Sequence, residues 1–91
     1  MAETTSRFRA SSDVAARDIP DGLMLVNVQS GAAFKLNRVG ADVWKRLDGI
    51  RQVVEIVREL DRQYGVGLEV LMRDVATLLE ELQKQGLVES T

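Results

Sequence analysis

The chain has 91 residues, a formal net charge of −2, 45% hydrophobic and 29% charged residues, and neither cysteine nor histidine. That length makes one small domain around one core. The missing residue types exclude a disulfide framework, the usual zinc ligands, an imidazole base and a thiolate nucleophile.

The remaining residue types do not assemble a catalytic motif. Carboxylates are scattered over the chain, and Gly65-Val66-Gly67 lacks the rest of any nucleotide-binding fingerprint. Neither an enzyme acting alone nor a bound cofactor or metal is expected. The longest apolar run is Leu23-Met24-Leu25-Val26, too short to cross a bilayer. The first residues (MAETTSRFRASS) have no apolar signal region, which makes a cytoplasmic location the expectation.

In chain order, residues 1–12 read as a flexible, polar N-terminal tail in which Phe8 alone suits docking on the body. Residues 13–91 form the single domain. Residues 14–19 give a weak strand at the sheet's periphery, since it carries Arg17 and Asp18. Pro20-Asp21-Gly22 is a turn, with proline presetting φ and Gly22 expected to supply a positive φ. Residues 23–28 are the strongest strand, and Gln29-Ser30-Gly31 signals a hairpin into a third strand at residues 32–36. A two-residue and a four-residue loop both place Leu23, Leu25, Phe34 and Leu36 on one face, which must be the core face. The other face carries Met24, Val26, Val28, Ala33 and Lys35, more apolar surface than solvent exposure explains. A homodimer through this face and cover by the N-terminal tail are the two alternatives.

Asn37 stands where a helix N-cap belongs. The first helix is expected over residues 38–47, with Gly40 leaving room for close packing and Trp44 as a core anchor; Asp48-Gly49 stops it. A second helix over 52–64 carries Val53, Val54, Ile56, Val57, Leu60 and Tyr64 on one stripe. The third and longest, over 68–85, carries Leu68, Leu71, Met72, Val75, Leu78, Leu79 and Leu82. Gly86 then fits a left-handed cap with Leu87 folding back on Leu82, and Leu87-Val88 suits a short last strand. The fold class is therefore α+β and winged helix-turn-helix-like: a small three-stranded antiparallel sheet followed by a three-helix bundle.

The series Leu36-Asn37, Gly40, Trp44, Leu47-Asp48-Gly49, Val53 and Ile56 resembles the middle of PqqD-type proteins. Asp74-Val75, Leu78-Leu79, Leu82 and Gly86-Leu87-Val88 resemble that family's final helix. The resemblance covers about residues 21–88. It implies a recognition element for ribosomally synthesised, post-translationally modified peptides: a domain that binds the leader of a precursor peptide and presents it to a modifying enzyme. That enzyme is a radical SAM protein in pyrroloquinoline quinone (PQQ) biosynthesis and a leader protease in lasso-peptide pathways. The family's mode is addition of the leader as a strand beside the third strand, against the third helix. Many relatives carry aromatics where this chain has Ala32 and Ala33, a departure that bears on which leader is bound.

The residues support that mode independently. As the edge of a meander, residues 32–36 offer unpaired amides and carbonyls, guarded only by Lys35. The small Ala32 and Ala33 admit a second backbone by β-augmentation, with Phe34, Lys35 and Leu36 completing the edge. On the third helix, Leu71, Val75, Leu78 and Leu82 are expected as the central, core-facing stripe. Met72, Ala76 and Leu79 flank it as groove-lining candidates, with Arg73 and Asp74 at the rim. The rival reading is a winged-helix DNA-binding transcription regulator. Residues 52–91 oppose it: four cations against eight carboxylates give a local net charge of −4, the wrong sign for gripping phosphate. Neither nucleic acid nor membrane is expected as a partner.

Overall fold

A computed structural model describes residues 5–91. The elements are β1 (Arg7–Ala10), β2 (Val14–Ile19), β3 (Gly22–Asn27), β4 (Ala33–Asn37), α1 (Arg38–Lys45), β5 (Asp48–Gln52), α2 (Val53–Tyr64), α3 (Leu68–Lys84) and β6 (Val88–Ser90). They make two antiparallel sheets, ordered β2-β3-β4 and β5-β1-β6, and three helices.

The first sheet follows the hydrophobic alternation. Leu23 pairs with Leu36 and Leu25 with Phe34, the register of the four-residue loop. The inward residues Leu23, Leu25 and Leu36 are buried against the helices. The β2–β3 turn is built differently from expectation. Asp21, not Gly22, takes the positive φ (63°): it is the second central residue of the two-residue turn that Pro20 opens, and Asp is among the residues that tolerate the left-handed conformation. Gly22 is required for another reason. A Cβ there would stand 1.8 Å from the Leu36 carbonyl oxygen.

The strand-to-helix junction forms as the sequence indicates, with the Asn37 side chain accepting from the Gly40 amide at 2.8 Å. At the far end of α3, Gly86 is left-handed (φ 70°), Leu87 N–H donates to the Leu82 carbonyl (2.9 Å) and Gly86 N–H to Gln83 (3.1 Å). Those two bonds satisfy carbonyls that the helix itself cannot reach.

The expected tail and helix stop are both corrected. Arg7–Ala10 is the central strand of the second sheet, Phe8 is 4% exposed, and the segment after α1 is strand β5 rather than a bare stop. Residues 1–4 lie outside the described residues. Phe8 explains the difference, since it buries itself only when β5 and β6 flank it, and both pairings are long-range. Trp44 is also less central than expected. It packs half-buried at the core's margin, and its neighbour Val43 is fully enclosed. The Met24/Val26 face is not covered by β1, which lies in the other sheet; both residues are half-buried and Val28 is exposed.

Polar side chains fasten the helices. Arg46 bonds Glu59 (3.2 Å), Gln63 (3.2 Å) and the Asp42 carbonyl (3.0 Å), joining α1 to α2. The Tyr64 hydroxyl donates to the Asp42 carboxylate. That bond to an anion, with burial behind it, raises the Tyr64 pKa, because losing the proton would set two negative groups together.

Two outcomes are expected. Gly22→Ala destabilises the protein by about 1–3 kcal/mol, as overpacking does; an unchanged urea midpoint would contradict the close approach. Tyr64 is the sole tyrosine, so tyrosinate absorbance reads it directly. It should ionise above the ordinary value of about 10, and Asp42→Asn should bring it back down. Because the folded-state pKa is the raised one, the bond's contribution is complete below the unfolded value and lost as pH rises through the folded one. Ionisation at the same pH in both proteins would refute the coupling.

Candidate functional site

β4 is an edge of its sheet, paired with β3 on one side only. Asn27 N–H donates to the Ala32 carbonyl at 2.8 Å at the top of the hairpin. Counting the antiparallel alternation from that bond, Phe34 and Leu36 spend their backbone groups on β3. Ala33 and Lys35 turn theirs to the open side.

Beside that edge runs a groove of about 560 Å³ between β4 and α3. Its base is the buried Leu36, Val43, Leu71 and Val75; the half-buried Phe34, Val39 and Leu78 form its walls. Asp74, Thr77 and Glu81 stand exposed along the α3 rim, and the exposed Val66 lines the groove from the α2–α3 loop. The base is apolar and the α3 rim is acidic.

Two ties set how far α3 stands from β4. Asn27, 8% exposed, donates from Nδ2 to the Gly86 carbonyl (3.1 Å), linking the β3–β4 turn to the residues just after α3. Its Oδ1 meanwhile accepts from the Gln29 and Ser30 amides (2.9 and 3.1 Å). At the other end, the Asp61 carboxylate accepts from the Gly67 amide (2.8 Å), and Gly65 (φ 64°) and Gly67 (φ 109°) carry the chain from α2 into α3.

The structure brings together Phe34, Lys35, Leu36, Leu71, Asp74, Val75 and Leu78 of the expected site. Lys35 contributes backbone, since alternation puts its side chain beside Met24 on the opposite face. Ala32 and Ala33 sit at the start of the same edge but outside the groove. Met72, Arg73, Ala76 and Leu79 do not line it. Leu79 is fully buried in the core, whereas Leu78, expected as core, forms a wall. The rest of the expected stripe, Leu71, Val75 and Leu82, is buried as anticipated, so the core-facing side of the helix differs from expectation only at the Leu78/Leu79 step.

Four lining residues went unseen because they come from the β4–α1 junction: Asn37, Val39, Gly40 and Val43. Thr77 and Glu81 were within reach of sequence reasoning, being three residues beyond Asp74 and Leu78 on the same helix face. Val66 gave only the signal of an apolar residue between two glycines.

Several cations outside α3 are engaged in ion pairs. Arg38 bonds Asp21 (3.0 Å), Arg46 bonds Glu59 (3.2 Å), and Arg51 lies between Glu59 (3.5 Å) and Asp48 (3.8 Å). The Ile50 and Arg51 amides donate to the Asp48 carboxylate and, with the Arg51 charge, hold its pKa below the ordinary value.

The family model for coenzyme PQQ synthesis protein D (PqqD) matches residues 22–88. No curated protein matches the chain significantly. Among solved structures, TbiB1 in complex with the TbiA(beta) leader peptide is similar at 30% identity, over 89% of this chain and 94% of that one, with a TM-score of 0.79. A lasso peptide synthetase B1 complexed with its leader peptide shares the fold at 24% identity and a TM-score of 0.80, over 91% and 98% of the two chains. The match to the family model spans both walls of the groove, and the chain belongs to the PqqD family.

Proposed function

We propose that this protein is a non-catalytic adaptor for the leader segment of a ribosomally made precursor peptide. The leader adds as a strand along the open edge of β4, lays alternate side chains into the groove against α3, and is thereby presented to a modifying enzyme. A radical SAM protein and a leader protease are the two candidate enzymes.

One observation carries the reading: an unpaired strand edge lies directly beside an apolar groove. An edge alone would bind any extended chain, and a groove alone would bind any greasy one. Together they demand an extended peptide with apolar residues at alternate positions. That both similar solved structures hold a leader peptide supports the same occupant.

The magnitudes are adequate. About four added backbone hydrogen bonds at roughly 1 kcal/mol each and two buried aliphatic side chains at about 1.5–3 kcal/mol each must offset several kcal/mol of lost freedom. The balance corresponds to affinity around the micromolar level.

A fluorescein-labelled leader, taken from the precursor peptide encoded nearest this gene, is therefore expected to bind at roughly micromolar concentration in an anisotropy titration. Ala33→Pro removes an outward backbone donor and Leu78→Asp puts a charge in the wall; each should weaken binding at least about tenfold, with circular dichroism showing an intact fold. A mixed-sequence DNA duplex should not compete. Binding indifferent to both substitutions, or DNA bound in preference, would overturn the reading.

A further inference from the structure

Resting on that reading, we propose that Asp74 and Glu81 select leaders that carry lysine or arginine on the side turned toward α3. The groove is apolar at its base, so its charged rim is where it distinguishes one apolar peptide from another. Both carboxylates line the groove and are exposed, and neither has a cationic partner within 4 Å among the described residues. Other acids of the fold are matched: Glu89 with Arg9, Asp21 with Arg38, and Glu59 with Arg46 and Arg51.

The helix does not compensate Asp74 from within. Its neighbours one turn away are Val70, Leu71, Thr77 and Leu78, with no cation among them. Glu81 has Lys84 three residues on, yet the two form no ion pair among the described residues. Along the groove wall that leaves two negative charges separated by about 10.5 Å, from the 1.5 Å rise per residue. On a bound strand, side chains on one face recur about every 6.8 Å. Long, flexible cations two or four positions apart can therefore meet one carboxylate each. An acidic leader of equal hydrophobicity would instead place like charges together beside a low-dielectric groove, where screening is weaker than in open water.

The choice of partner is thus one of sign. Hydrophobic contacts hold the leader, and the rim rejects the acidic ones.

The test is selection from a displayed library of random 12-residue peptides. Wild-type protein, Asp74→Asn/Glu81→Gln and Asp74→Lys/Glu81→Lys are panned in parallel, with Ala33→Pro as the control for edge binding. All substituted rim positions are exposed, and each variant is checked for an unchanged circular dichroism spectrum. Wild type should enrich alternating apolar residues together with lysine or arginine. The neutral variant should keep the apolar pattern and lose the charge preference, and the reversed variant should enrich aspartate and glutamate. The wild-type preference should fade in 1 M salt, where the screening length falls to about 3 Å. Pools of identical charge composition from all three proteins would overturn the assignment while leaving the groove as a peptide site. A wild-type pool no richer than the Ala33→Pro pool would instead sink strand addition and the charge rule with it.

Discussion

The hydrogen bond from the Gly40 amide to the Asn37 side chain, 2.8 Å long, is the contact on which the site depends. It ends β4 and starts α1 within one residue. The last strand residues and the first helical turn therefore line one groove together. Its surroundings leave little slack. A Cβ on Gly40 would lie 3.3 Å from side-chain atoms of both Leu36 and Asn37, closer than ordinary contact. Gly22 closes on the Leu36 carbonyl from the other side. A larger residue at either glycine would push the junction apart and widen the groove before any peptide arrived.

The rest of the fold holds α3 at a fixed distance from that junction. Asn27 connects the hairpin turn to Gly86, and Asp61 fixes the loop that enters α3. The second sheet closes the chain on itself, with β1 between β5 and β6 and the Ser11 amide bonded to the Leu87 carbonyl at 3.0 Å. A groove already formed before binding matters for affinity. A peptide that is disordered when free must lose its own conformational entropy on binding, and a preformed receptor adds no second ordering cost.

How much of this the sequence disclosed depended on the range of the interactions involved. The β3–β4 hairpin, the Asn37 cap and the Gly86 cap rest on neighbours a few residues apart, and their residue types announce them. Of the second sheet only the last strand was signalled, by Leu87-Val88; β1 and β5 were not, because they are short, polar on one face, and stable only through partners some forty or eighty residues away. On α3, a stripe of seven apolar residues is too wide to fix its own phase, so Leu78 and Leu79 exchanged roles. The strand half of the site was legible because an edge is a topological fact. The α1 contribution was not, because Val39 and Val43 reach the groove only through the direction in which the chain leaves β4.

The proposed mode divides the labour between edge and groove: backbone pairing on β4, side-chain reading on α3. Amide hydrogen exchange resolves that division residue by residue. In the free protein the Phe34 and Leu36 amides, already spent on β3, should exchange slowly, and those of Ala33 and Lys35 should exchange fast. Adding the leader of the precursor peptide encoded nearest this gene should slow Ala33 and Lys35 in alternation, leaving their neighbours little changed. A leader that binds yet leaves Ala33 and Lys35 exchanging as before would contradict strand addition along β4.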